Sequence, residues 1–314
     1  MSTIEKALAK QKLAKSAAPI EAKDSAPEDS VQSSADDTVG SENTVLASEK
    51  TKAPFERDDM DGKQSDKILD LPLEALDEMG YVSLSSKRKL VNEELRAIKR
   101  RLLNNAFGSL SKTLPSANLI TVSSTRPGEG KSFTAINLAL SIALEQDKTV
   151  LLVDADVLKP SISKKLGVKD KVSVGLMEYL LDEVDDVRDI IYRTNVENLR
   201  FIPAGRQSHL STELLASQKM ADLADQFVKR YPDRVVIMDS PPLLGINETV
   251  VLANLAGQII IVVEEEATRL GELKQAIEQL DKDKAIGFVV NKAKKNNSAS
   301  GYGYGYAYAY ANHK

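Results

Sequence analysis

Downstream of Pro115 the chain alternates short unbroken apolar runs with stretches of helical period. The runs are 119–122, 150–153, 199–202, 235–238, 259–263 and 286–290. Four or five residues rich in Val and Ile, with no polar residue at every second position, predict strands buried on both faces. Between them, 132–145 and 270–280 repeat apolar residues at the spacing of a helix. The alternation predicts an α/β fold, a parallel sheet with helices on both faces. Ligands of such sheets bind at the carboxyl ends of the strands. Upstream, 86–103 carries Leu90, Val91, Leu95, Ile98 and Leu102 at helical spacing, with seven Lys and Arg residues around the rest. That is a basic amphipathic helix, readable as a solvated face or as a contact for a membrane surface, nucleic acid or an acidic partner.

Before it the pattern dissolves. Residues 3–15 hold a thin apolar stripe sufficient for a short helix, and 16–67 are Ser, Ala, Asp, Glu and Lys with scattered Pro, the composition of a disordered linker. The chain therefore divides into an acidic leader, 1–80, a domain, 81–295, and a tail, 296–314. Charge supports this division: the leader has 10 Lys and Arg against 18 Asp and Glu, so a total of -4 leaves the remainder at +4. With no cysteine, and only His209 and His313, thiolate catalysis, disulfide frameworks and Cys/His zinc sites are excluded. No apolar run approaches the roughly 18 residues needed to span a bilayer. A soluble, cytoplasmic protein is expected, with any membrane role supplied through another protein.

The strand at 119–122 runs into Thr125-Arg126-Pro127-Gly128-Glu129-Gly130-Lys131-Ser132-Phe133 and then into a helix. This order of strand, glycine-rich loop, Gly-Lys-Ser and helix is that of a phosphate-binding loop. Gly128 and Gly130 let the backbone approach the ligand, Lys131 reaches the outer phosphates, and the Ser132 hydroxyl can ligate Mg²⁺. Thr125 occupies the position usually held by the first glycine. A dinucleotide fold is disfavoured, because Phe133 stands where its third glycine would pack helix on strand and Lys131-Ser132 would have no role. The second and fourth apolar runs end in acids, Asp154 and Asp156 after one and Asp239 after the other. Asp239 fits the carboxylate that holds Mg²⁺ directly or through water.

Five of the nine tyrosines, Tyr302, Tyr304, Tyr306, Tyr308 and Tyr310, alternate with Gly and Ala near the end of the chain. Core packing does not explain them. Beside a nucleotide site they read as phenol hydroxyls offered to phosphorylation, each phosphate adding about -1.5 to -2 of charge to a tail flanked by lysines.

These motifs together resemble the bacterial tyrosine kinase (BY-kinase) family, and within it the autokinases linked to exopolysaccharide synthesis, over about residues 85–314. The resemblance implies a P-loop NTPase-like domain using ATP and Mg²⁺, with Lys131, Asp154 and Asp156 as catalytic residues. Asp154 would activate the tyrosine hydroxyl, while Ser132, Asp156 and Asp239 would organise the metal. It implies phosphorylation of one subunit's tail by its neighbour in a ring whose contacts use Glu93, Arg96 and Lys99, the last standing where the family has arginine. It also implies an integral-membrane polysaccharide-copolymerase-type activator, a tyrosine phosphatase, and peripheral association with the inner membrane; no nucleic acid is expected. The partitioning and division-site ATPases share the fold, and a nucleotide switch of that type is the alternative reading.

Overall fold

The computed structural model describes residues 68–82, 90–231 and 233–294. The short N-terminal helix, the linker up to residue 67 and the tyrosine cluster lie outside the described residues. Seven strands form one sheet in the order β3-β4-β2-β5-β1-β6-β7. They are β1 (Leu119–Ser124), β2 (Thr149–Asp154), β3 (Tyr192–Arg193), β4 (Leu199–Ile202), β5 (Arg234–Asp239), β6 (Gln258–Glu264) and β7 (Ala285–Asn291). All neighbours are parallel except β3, which pairs antiparallel with β4.

The helices are α1 (Leu73–Glu78), α2 (Leu90–Phe107), α3 (Lys131–Ala143), α4 (Ile162–Lys165), α5 (Leu176–Leu180), α6 (Ser211–Leu215), α7 (Gln218–Arg230), α8 (Asn247–Leu255) and α9 (Leu270–Glu278). Alternate strand residues feed opposite layers. Ile120, Val150, Leu152, Val235 and Ile237 join Leu95 and Leu102 of α2 and Ile136 and Leu140 of α3. Leu119, Leu151, Val153, Val236 and Met238 join α5, α7 and α8 through residues such as Met177, Leu223 and Leu252. Demand for apolar side chains on both faces explains why these strands read as unbroken runs.

Three expectations need correction. β7 is not buried on both faces: it ends the sheet, and Phe288 and Val290 are 50% and 59% exposed. Core residues are found upstream of the expected start at 81. Leu69, Leu71, Leu76, Tyr81 and Val82 are core residues, and α1 lies within this strap. Finally, Lys99 is turned inward rather than displayed on the outer face of α2. It is 6% exposed, its Nζ 2.5 Å from Glu145 Oε1 and donating to the Ser141 carbonyl at 3.0 Å. Helical spacing accounts for this, since Lys99 follows Leu95 by four residues and precedes Leu102 by three, on the inward stripe. Glu93 and Arg96 lie further toward solvent and pair with each other at 2.9 Å.

Candidate active site

Sheet register assembles the site. Asp154 at the end of β2 lies opposite Asp239 at the end of β5, and Asp239 lies opposite Val122 of β1, just before the phosphate loop. The Ser240 amide donates to the Val122 carbonyl at 3.0 Å and the Leu243 amide to that of Ser124 at 2.8 Å, so the loop after β5 closes against the one after β1. α3 then starts at Lys131 from Gly130, which sits at φ +104° and offers no capping side chain. The first turn of a helix has amide donors without intrahelical acceptors. Here they face a cleft of about 340 Å³ lined by Pro127, Gly128, Gly130, Lys131, Ser132, Phe133, Asp156, Leu158, Lys159, Ser161, Lys165, Pro242, Leu244 and Ile246.

Three carboxylates and one ammonium meet at the inner wall of that cleft, Lys131 and Asp156 lining it and Asp154 and Asp239 behind them. Lys131 Nζ is 2.5 Å from Asp156 Oδ2 and 3.5 Å from Asp239 Oδ1. Asp154 Oδ2 accepts from the Ser161 and Ile162 amides at 3.2 and 3.0 Å, while its Oδ1 and both oxygens of Asp239 are buried with no hydrogen bond. Burial, with the charge of Asp239 beside it, pushes the Asp154 carboxyl well above the usual carboxylate range. Burial also pushes Asp239 up to about 6, against the pull of Lys131. For Lys131 burial acts downward, but Asp239 and Asp156 outweigh it and hold the ammonium above its ordinary value.

This arrangement fits Mg²⁺ with a nucleotide. Even with Asp154 protonated, Asp156 and Asp239 outnumber the one ammonium at neutral pH, and buried carboxylate oxygens without a hydrogen bond are costly unless a cation or its water shell reaches them. Among the described residues no three acidic or imidazole groups are placed to hold a metal by themselves. Mg²⁺ suits such a site, because it retains waters and takes one or two carboxylates together with substrate phosphates. When bound it would neutralise charge on the phosphates. The hydroxyl of Ser132, which accepts from Ser161 Oγ at 3.0 Å, and Asp239 are the residues to hold it.

The predicted loop residues have two different placements. Gly128, Gly130, Lys131, Ser132 and Phe133 line the cleft, with Pro127 at its rim. Thr125, Arg126 and Glu129 instead hold the loop from behind. Glu129, buried, accepts from Thr125 Oγ1 at 2.6 Å, from the Arg126 amide at 2.9 Å and from Thr268 Oγ1; its carbonyl accepts from Asn291 Nδ2 at 2.8 Å. Arg126 pairs with Glu272 of α9. Of the three carboxylates only Asp156 lines the cleft. A phenol entering it meets Asp156 before Asp154, which is fully buried. Lys159 lines the cleft in the segment after Asp156, where the family often has an arginine; sequence reasoning missed Ser161 and Lys165, around α4, because nothing but their nearness to Asp156 marked them.

A model of the AAA domain family matches residues 117–288. Over 212 residues the chain is 32% identical to tyrosine-protein kinase YwqD of Bacillus subtilis, covering 67% of this chain and 84% of YwqD. The chain belongs to the bacterial tyrosine kinase family. It is also 37% identical over 163 residues to EpsB of Ralstonia nicotianae, covering 52% of this chain but only 21% of EpsB. The chain thus spans about a fifth of that larger relative. Among solved structures, the BceF tyrosine kinase domain superposes with a TM-score of 0.57 at 27% identity, over 70% of this chain and 90% of that one. For a member of this family, the AAA match places the β1 loop, the Asp154/Asp156 pair and Asp239 inside the shared domain.

Proposed function

We propose that this chain is an ATP- and Mg²⁺-dependent protein-tyrosine kinase that phosphorylates its own Tyr302, Tyr304, Tyr306, Tyr308 and Tyr310, one subunit acting on the next, and so regulates exopolysaccharide synthesis and export. The observation that carries this reading is Lys131 among three carboxylates at the mouth of the phosphate loop, in a chain of this family. Lys131 and the amides of the first turn of α3 bind and orient the phosphates. Ser132 and Asp239 organise the metal, Asp156 stands at the cleft wall, and the family resemblance assigns activation of the tyrosine hydroxyl to Asp154 behind it. Recruitment falls to an integral-membrane copolymerase-type activator at the inner membrane and resetting to a tyrosine phosphatase. No helix among the described residues is long and apolar enough to cross a membrane. With Lys99 turned inward, ring contacts on α2 would use Glu93 and Arg96.

The test is a phosphotyrosine assay of purified protein with Mg-ATP, beside Lys131→Met and a chain truncated after Ser300. Signal that requires Lys131 and disappears with the tail supports the reading, and transfer from truncated chain to the Lys131→Met protein supports action between subunits. ATP hydrolysis with no modified tyrosine, even with an activator fragment present, would move the protein to the partitioning-type nucleotide switches.

A further inference from the structure

β7 is the last strand of the sheet. The Ala285 amide donates inward to Gly257 and the Asn291 carbonyl accepts inward from Glu265. In a parallel strand the direction alternates, so the amides and carbonyls of Ile286, Phe288 and Val290 point to the outer edge. An extended edge of this kind, with exposed apolar side chains along it, is a template for another strand. Its two faces differ. Val289 packs against the core layer that contains α2, whereas Phe288 and Val290 stand open on the opposite face.

We propose that this edge is the docking site of the chain's own tail, Gly301–Tyr310, added as an antiparallel strand in the same molecule. The tail has the two-faced pattern that the edge requires. Five tyrosines at a period of two would lie beside Phe288 and Val290, while Gly and Ala would fall on the side already occupied by packing. The chain reaches there. At Lys292 it turns at φ +56°, and Lys294 is then held at the end of β6, its amide donating to Glu265 Oε2 at 2.5 Å. From Lys294 to Gly301 an extended chain covers roughly 20 Å, about twice the two strand spacings back to the outer edge of β7.

Charge makes the docking specific for the unmodified tail. Gly301–Tyr310 carries no charge, and its first residues would come nearest the end of β6, where Glu264 and Glu266 pair with Lys292 and Lys294 and Glu265 accepts only the Lys294 amide, so three acids face two lysines. Each phosphate would place about -1.5 to -2 of charge next to that run and release the strand. This last step rests on the kinase reading; the docking itself does not.

Hydrogen exchange of the Lys131→Met protein, which keeps the tail unmodified, tests the docking against the same protein truncated after Ser300. The outward amides of Ile286, Phe288 and Val290 should exchange roughly tenfold more slowly in the full chain, unchanged over an about hundredfold range of protein concentration. Replacing Gly303 and Gly305 by proline should abolish the difference while leaving β6 protection intact. Equal exchange in full and truncated chains overturns the proposal. Slowing that grows with concentration overturns it too, by assigning the edge to the tail of a second copy.

Discussion

The two ends of α3 solve the same electrostatic problem in opposite ways. At its C-terminal end the Ser141 carbonyl receives Lys99, which is also paired with Glu145, so one buried ammonium is matched by groups of the protein itself. At its N-terminal end the backbone donors have no side-chain cap, and one buried ammonium is outnumbered by Asp154, Asp156 and Asp239, with three carboxylate oxygens unbonded. A matched lysine contributes stability and nothing is left to recruit. An outnumbered one leaves charge and donors that only a ligand satisfies, as expected at a site whose groups are held ready for reaction.

Removing each lysine in turn gives the largest expected effect. Lys131→Met should lower the rate of tyrosine phosphorylation by about 10²–10³, the usual consequence of deleting one preorganised donor to developing charge. Lys99→Met should leave the rate per folded molecule unchanged while lowering stability by about 1–2 kcal/mol, since Glu145 is partly solvated and recovers water. Initial rates and urea unfolding measured on both variants would sink the contrast if the two behaved alike. Next in size is Gly130→Ala. A Cβ at φ +104° would run into the Asn291 amide as well as strain the backbone, at a cost of about 1–3 kcal/mol. Adding Asn291→Ala should recover part of the stability, because it removes the collision and leaves the strain.

The smallest effect is a pH dependence. A carboxyl raised to about 6 in the folded protein binds more protons than in the unfolded chain, so its contribution to stability is largest at acid pH. That contribution declines as pH rises through the unfolded value toward 6, then stays level. Asp239→Asn should remove this slope, seen as a stability difference from wild type that widens from about pH 4 to 6. Mg²⁺ binding should run the other way, weakening by up to tenfold per pH unit below about 6 and doing so only with Asp239 present. Calorimetric titration of wild type and variant with Mg-nucleotide reads both.

Much of the sheet was legible because its longer strands other than β7 are buried on both faces, and each of the six apolar runs became a strand within one or two residues. The two-residue β3 is too short to show a period. The strap at 68–82 was hidden differently: Leu69, Leu71 and Leu76 are interleaved with acids, so composition reads the segment as leader although these side chains are core. At the site, the glycines, Lys131, Ser132 and the three aspartates were visible because loop chemistry demands those residue types at those spacings. The support behind them was not. Glu129 depends on Thr268 and Asn291, more than a hundred residues distant, and no local pattern announces contacts at that separation. Lys99 was readable yet misassigned, because a crowd of basic residues obscured its position on the inward stripe.

The strap also determines where a load on the chain would be carried. Leu69 exchanges hydrogen bonds with Arg193 and Asn195, and the Asn195 side chain grips Asp70 and Leu71, all running alongside the strap. Further on, the Val82 amide donates to Asn137 of α3 and the Tyr81 ring rests 5.0 Å from that of Phe133. Tension drawn along the strap at Ile68 would load the first set before any reached the helix that carries the phosphate loop. The arrangement is a cable clamp: a pull on the strap would be borne beside β3 while the nucleotide end of the molecule keeps its alignment.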